Sequence, residues 1–399
     1  MIIVSHYMTI MRYTPMAMTF TIQRLVDTPA GLLQVTAERG RIPLPGSPDN
    51  PLSELSYGPY LNAISSFLSN NSCHALTTVL SKHLGRASSL DEIKRVEIIS
   101  TKHGTLYHVA RLKVYTGERV CSFAVNVSTY PEQHAFLENE FHLLKHLYDN
   151  FHSVFLPIPY LKGETTYSDD QTGYLPLRLF IAQWFEDYHE FHLSPHLNED
   201  LPAIKVWETS SNKNLLDGHQ TYSLYRSASA ILTTYLDGRT FQQIYPWHHA
   251  AGDFVVQVRE SEVDLRLITV RDYRCLLSPG PGFENVWAAI LHFFLNITIR
   301  LRLDRFDGTG KLAWAGPDCL RGIIDGFFPA WSEKLQKYPH LPSSNGVFEV
   351  LRSFNQKDWL SLAELVNEGG QVEHDEIEFL KPRMNDHVTA LHNALQQKS

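Results

Sequence analysis

Long hydrophobic runs are missing from this chain. No stretch of about 18 consecutive apolar residues occurs, so no membrane-spanning helix is expected. The longest candidate, Val286–Ile299, is interrupted by His292 and Asn296 and reads as a buried helix. The first residues are apolar but broken by His6, Arg12, Thr14 and Pro15, with no charged segment leading into a clean apolar stretch. No signal peptide is therefore expected. Cysteine is scarce: Cys73, Cys121, Cys275 and Cys319 stand far apart, with no CxxC and no Cys/His ligand spacing. That pattern fits free thiols in a reducing cytoplasm rather than a disulfide framework. Positive charge is in deficit, with 35 Lys and Arg against 43 Asp and Glu and a net charge of −8. A general nucleic-acid binder needs the opposite balance to meet phosphates, so none is expected. Internal repeats and low-complexity tracts are absent as well.

What is present is an ordinary globular composition. The 399 residues, 43% hydrophobic and 20% charged, suffice for two or three lobes with a sizeable core. Short strands are expected at Thr19–Leu25 and Leu32–Val35, around the turn at Thr28–Gly31. A Pro/Gly/Ser/Asp-rich linker follows at Gly40–Pro59. Apolar residues at helical spacing run from Tyr60 to Leu84. Asn70–Ser72 divides them into two helices, and Gly85 is placed to cap the second. The pattern then becomes strand-like at Val96–Ser100, Tyr107–Tyr115 and Val120–Val127. A helix is predicted at Pro131–Tyr148 and a strand at Leu177–Trp184. Beyond these, helices are predicted at Ile204–Leu216, Gln220–Leu236, Glu284–Arg305, Pro317–Lys337, Val347–Val366 in pieces, and Asp375–Gln397.

One stretch, Tyr245–Tyr273, organises the rest. Its apolar segments Phe254–Val258 and Leu265–Val270 flank a polar turn, Arg259–Asp264, and predict a β-hairpin. His248, His249, Gly252 and Asp253 lead into the first strand, and Arg271 and Asp272 leave the second. Carboxylates and imidazoles gathered at one end of a ribbon suit a phosphoryl-transfer centre, where metal ligation and positioning do the work. A carboxylate at Asp253, entering a buried strand, needs a partner or a cation. His248 and His249 are candidates for a general base or metal ligands, or for a structural pair beside Trp247. Asp272 beside Arg271 reads either as a second metal carboxylate or as half of an ion pair.

The order strand, strand, strand, helix, strand, then a helical part holding this hairpin, resembles the protein-kinase-like superfamily. Within it, the chain is most similar to the aminoglycoside phosphotransferase and choline kinase branch. Phe123-Ala124-Val125-Asn126-Val127 resembles the family's Val-Ala-Ile-Lys strand. Glu138–Leu147 resembles its helix with an inward glutamate, at Glu140. Phe151–Tyr160 is similar to the proline-bearing link into the next strand, and Leu179–Phe185 to the hinge strand. The resemblance implies an α+β, two-lobed fold: residues 1–90 an N-terminal extension, 91–186 a small lobe of antiparallel sheet plus helix, and 187–399 a larger, mainly helical lobe carrying the hairpin.

The catalytic motif, His-Gly-Asp-x-x-x-x-Asn before an apolar strand, can be laid on the chain in two registers. In one, Asp253 takes the place of the catalytic base and Val258 falls on the metal-binding Asn. In the other, Gly252-Asp253-Phe254 enters the strand, Asp253 replaces the metal-binding Asn, and His248 replaces the base; this second register keeps strand and loop in place. The second metal carboxylate maps to Thr269, or to Asp272 if the strand runs one residue pair longer. Nucleotide contacts would fall to Asn126, Glu140, Lys102 and Gly104. Asn126 stands where the family has lysine, and Lys102-His103-Gly104-Thr105 has one glycine where a GxGxxG loop is usual. The resemblance implies a divergent phosphotransferase using ATP and Mg²⁺ or Mn²⁺ on a small hydroxyl- or amino-bearing substrate. The departures imply the alternative, a pseudokinase that binds a small molecule or a protein partner.

Two further runs draw attention. Asp187, His189, Glu190 and His192 form a dense His/carboxylate segment, fit for substrate contact or metal ligation, or simply a polar rim. Arg300–Gly308 alternates charged and apolar residues, with Arg300 and Asp304 four apart and so expected to pair on a helix.

Overall fold

The computed structural model describes residues 20–28, 30–45, 55–103, 107–169, 173–195, 201–207, 214–247, 252–277, 283–369 and 374–398. It is a mixed α+β protein with one large sheet and many helices. The chain divides into two compact units: Met1–Leu137 with Pro159–Trp184, and Glu138–Ile158 with Phe185–Ser399.

The first unit begins with strands β1 (Thr21–Thr28) and β2 (Gly31–Gln34), then helix α1 (Tyr57–Leu84). Strands β3 (Ile93–His103), β4 (His108–Thr116) and β5 (Val120–Ser128) follow. Helix α2 (Pro131–Phe151) comes next and runs on into the second unit; β6 (Pro159–Asp169) and β7 (Gly173–Gln183) return to the first. Seven strands form one sheet in the order β2-β1-β3-β4-β5-β7-β6, with β1 parallel to β3 and the other pairs antiparallel. The expected link through Tyr160 thus opens into a full strand, β6.

Side-chain alternation sorts the residues of this sheet onto two faces. Ala110, Leu112 and Val114 of β4 lie opposite Val125, Phe123 and Cys121 of β5, and all are buried. Helix α1 covers this face: His83 meets the Phe123 ring edge-on at 5.1 Å, and Tyr60 meets His108 at 5.9 Å. The opposite face carries Val109 and Arg111 from β4, Ala124 and Asn126 from β5, and Phe180 and Ala182 from β7. Helix α1 is interrupted where the sequence predicts. Asn71, Ser72 and Cys73 have φ of 49°, 54° and 58°, and Gly85 closes the helix at φ 64°. Asparagine tolerates this left-handed region better than most residues, and glycine adopts it freely.

In the second unit, strands β8 (Phe191–Ser194), β9 (Ala203–Val206) and β10 (Asn214–Leu215) form a small sheet. This corrects the helix expected at Ile204–Leu216. Ile204 and Val206 are buried while Lys205 between them is half-buried, a period of two rather than 3.6, and β-branched residues favour it. Next come α3 (Gly218–Thr234), β11 (Gln242–Ile244), β12 (Phe254–Arg259), β13 (Glu262–Leu267), β14 (Tyr273–Cys275) and α4 (Phe283–Arg300). The chain ends with β15 (Leu303–Arg305), β16 (Leu312–Trp314), α5 (Cys319–Lys337), α6 (Ser344–Ser353), α7 (Gln356–Gly369), α8 (His374–Leu380) and α9 (Met384–Gln397).

Helix α4 stops at Arg300, short of the expected end at Arg305, because the alternating run beyond it has strand periodicity. Arg300 therefore does not pair with Asp304. It bonds Glu376 at 2.9 Å, while Asp304 accepts the Leu193 N–H at 2.8 Å. Helices α3 and α5 pack backbone to backbone at Gly322 and Gly326. A Cβ on Gly322 would lie 2.6 Å from the Tyr222 carbonyl, and one on Gly326 would collide with the Arg226 backbone. Phe293, Phe294, Phe327, Trp331 and Trp359 fill the space beside them and are fully buried. The four cysteines form no disulfide. Among the described residues, no helix is long and apolar enough to cross a membrane.

Candidate functional site

The predicted hairpin is present, with a shorter turn. Strands β12 and β13 pair from Phe254↔Leu267 to Arg259↔Glu262, so only Glu260 and Ser261 lie between them. Glu260 takes φ 53°, as the favoured tight hairpin turns require. Beyond the ladder, the Ile268 N–H donates to the Asp253 carbonyl at 2.7 Å, and the pairing ends there. Residues 268–270 leave the ribbon as a loop. Strand β14 then pairs with β11 through Ile244↔Tyr273. Residues 245–247, 252–253 and 268–272 thus lie between the hairpin and the β11–β14 ribbon in the chain.

Asp253 sits at the start of β12 and is 1% exposed. Gly252 before it has φ 66°, a conformation that glycine supplies without strain. A carboxylate buried this deeply must be neutralised. Arg271 does this with a forked contact: its Nη2 donates to Oδ1 at 2.8 Å and its Nε donates to Oδ2 at 3.2 Å. This two-point arrangement is the strong form of the Arg–carboxylate pair. Arg271 is therefore the partner of Asp253 and not of its neighbour Asp272. The Asp272 carboxylate accepts the Tyr273 N–H at 2.7 Å and faces Arg274 Nε at 3.3 Å. The two carboxylates expected to share a cation go to separate arginines.

Glu140 of α2 is 4% exposed and accepts the Val270 N–H at 3.1 Å. It ties the helix to the loop that leaves β13, one residue after Thr269. Asn139 Nδ2 donates to the Arg271 carbonyl at 3.5 Å and reinforces the same connection. In the first unit, Asn126 is 8% exposed, on β5 between Val109 of β4 and Phe180 of β7, on the sheet face opposite α1. His248, His249 and Gly104 lie outside the described residues. For Lys102 only the backbone, in β3, is described.

Residues 186–192 flank the hairpin. His189 and Val256 exchange backbone hydrogen bonds, each at 2.8 Å, which lays this run along β12. Arg266 of β13 stands among the rings of Tyr188, Phe185 and Phe155, at 5.3, 5.7 and 5.8 Å, and pairs with Asp264. Tyr188 donates to Asp264 at 2.6 Å. Burial, with the Asp264 carboxylate beside it, pushes the Tyr188 hydroxyl up to about 12. His192 is 3% exposed, with Asp304 Oδ1 at 3.7 Å and Glu190 Oε2 at 3.9 Å. Burial alone would lower its pKa; the two carboxylates outweigh it and raise it to about 9. The two carboxylates thus favour the protonated ring, whereas metal binding would need the free base.

Sequence reasoning missed Arg271 as the counter-ion of Asp253 and Arg266 as the ring-clasped brace of the hairpin. A signal for the first existed: a buried aspartate at a strand entrance demands a cation, and an arginine leaves the other strand. Among the described residues, no three His, Cys, Asp or Glu side chains converge. Asp253 and Asp272 are the described carboxylates that would hold a Mg²⁺ ion, and each meets an arginine instead.

Comparison with family models finds no match, and comparison with curated proteins finds none either. Among solved structures, the chain is similar to a protein provisionally assigned as a fructosamine-3-kinase from Haemophilus somnus 129PT. The identity is 10%, with 81% of this chain and 96% of that chain covered, at a TM-score of 0.24. A likeness at that level carries no argument about activity, which must come from the residues and their geometry.

Proposed function

We propose that this is a kinase-like protein in which Arg271 occupies the place of the catalytic cation, so that it binds a small molecule or a protein partner rather than transferring phosphate. The topology supports the kinase-like part. Strands β3, β4, β5, then α2, then β6 and β7 follow the order expected from the resemblance, and lie as β3-β4-β5-β7-β6. The catalytic-type hairpin comes later in the chain, in the second unit.

The observation that carries the reading is the forked Asp253–Arg271 pair. In phosphoryl transfer, metal ions neutralise charge on the phosphates, and carboxylates or amides of the protein hold those ions. Here the buried carboxylate is already neutralised by a fixed guanidinium. Since β13 ends at Leu267, the ladder gives no support to the longer strand that would bring Asp272 into register. Thr269, at the alternative position, is a weak metal ligand. Asn126, in place of lysine, adds no charge for a nucleotide phosphate.

A second reading is a divergent phosphotransferase using ATP and Mg²⁺ on a small hydroxyl- or amino-bearing substrate. One observation favours it: Asp253 is buried at the hairpin entrance, where the resemblance puts the catalytic machinery. Thermal-shift titration with ATP, with and without Mg²⁺, separates the two. The binding-protein reading expects no Mg²⁺-dependent stabilisation at any nucleotide concentration. A Mg²⁺-dependent rise in Tm that disappears in Asp253→Ala would overturn it in favour of the transferase.

A further inference from the structure

The second unit holds a groove with room for about 560 Å³ between α3, α5, the start of α6 and the residue following α9. That size is within the range of small-molecule sites, about 300–1,000 Å³. No residue of the hairpin lines it, so it is separate from the Asp253–Arg271 site.

Its charges do not cancel. Asp325 is the acidic group of the lining, and it is already matched: Tyr222 donates to it at 2.8 Å, Lys398 is ion-paired with it, and Arg321 stands 3.9 Å away. These partners hold its carboxyl below the usual range even though burial pulls the other way. Arg226, on α3, lines the same groove and is exposed. Among the described residues it forms no ion pair, and its charge acts on Tyr222 of the same lining. An apolar wall stands within the same lining. Phe328 and Phe348 meet edge to face at 5.4 Å, and Phe348 remains half-exposed.

We infer that this groove binds a small aromatic carboxylate, its carboxyl group on Arg226 and its ring against Phe328 and Phe348. The guanidinium suits the planar two-oxygen group, and the ring pair suits an aromatic body by offset or edge contact. Lys398, seated on the Phe328 ring at 5.2 Å while paired to Asp325, closes one side.

The test is a ligand-observed NMR titration of the full chain with phenylacetate, alongside acetate (the charge without the ring) and 2-phenylethanol (the ring without the charge). Saturable binding of phenylacetate is expected, with both partial probes at least about tenfold weaker, as loss of one charge-assisted contact or of one ring contact implies. Arg226→Ala should weaken phenylacetate about tenfold, and Arg226→Lys should restore part of the loss. Ser332 lines the groove and is exposed, so Ser332→Trp should block it without disturbing the fold. Thermal unfolding of each variant checks that it is folded. No saturable binding up to about 10 mM phenylacetate, acetate binding as tightly as phenylacetate, or wild-type affinity in both Arg226→Ala and Ser332→Trp would each overturn the assignment. None of these outcomes bears on whether the protein binds nucleotide.

Discussion

Arg271 Nη2 lies 2.8 Å from Asp253 Oδ1, and the two residues flank the open end of one hairpin, one before its first strand and one after its second. Their pairing closes the ribbon on the side away from its turn. Since Asp253 is 1% exposed and Arg271 more accessible, the two halves of the pair are not equivalent. Arg271→Met should cost about 3–5 kcal/mol, because it takes the forked guanidinium away from a buried carboxylate. The double variant Asp253→Leu/Arg271→Met should recover much of that loss, since a buried pair replaced by apolar groups is often near neutral. Urea unfolding of the two singles and the double forms the required cycle. Strict additivity would mean that the pair is not coupled.

Lys334 should give the protein a stability that rises with pH. Its side chain is 7% exposed on α5 and donates to the carbonyls of Thr234 and Leu236, where α3 ends. Burial lowers its pKa to about 7; Asp237 opposes this and Lys337 adds to it, and the rings of Phe151 and Tyr338 complete the surroundings. The folded value lies below the unfolded one, so the unfolded chain holds more protons between about pH 7 and 10.5. Stability relative to Lys334→Met should therefore increase through that window, by at most ~1.4 kcal/mol per pH unit. Denaturation midpoints of both proteins at pH 7, 8 and 9 measure it, and parallel profiles would rule the effect out.

His192 should act in the opposite direction. With Asp304 and Glu190 raising its folded pKa to about 9, the folded state holds the extra proton. The resulting stabilisation is complete below the unfolded value of about 6.5 and is lost as pH rises through 9. It amounts to about 3–4 kcal/mol at most. His192→Gln should erase that downward slope, and NMR titration of the imidazole should find it protonated at pH 7.5. An imidazole already neutral at that pH would refute the assignment.

Gly326→Ala tests the contact of α3 with α5. In an exposed helix this change stabilises by about 1 kcal/mol. Here the new methyl would strike the Arg226 backbone, so a loss of about 1–3 kcal/mol is expected instead. A Tm equal to or above that of the wild type would show that the two helices can separate at little cost.

Much of the local structure was legible from spacing alone. The break in α1 at Asn70–Ser72, the existence of the hairpin though not the extent of its second strand, and α3 and α5 to within about two residues at each end follow from periodicity, turn residues and caps. These are interactions between residues close in sequence, and the chain states them directly. Strands β9 and β10 read as a helix because their alternation spans only a few residues, too short to distinguish from a helical face. The end of α4 was overrun for a related reason: Arg300–Arg305 has a charge spacing that suits a helix turn and an alternation that suits a strand. Its long-range partners, Glu376 and the β8 backbone, favour the strand.

The sequence by itself determined that a buried aspartate would enter a strand at residue 253 and that it would need a positive neighbour. Only the tertiary structure decided that the neighbour is Arg271, and that Asp272 turns instead to Arg274. The physical reason is that adjacent residues leaving a strand point in different directions. Which one reaches a buried charge depends on where the ladder stops, and hydrogen bonds to a segment distant in the chain fix that point.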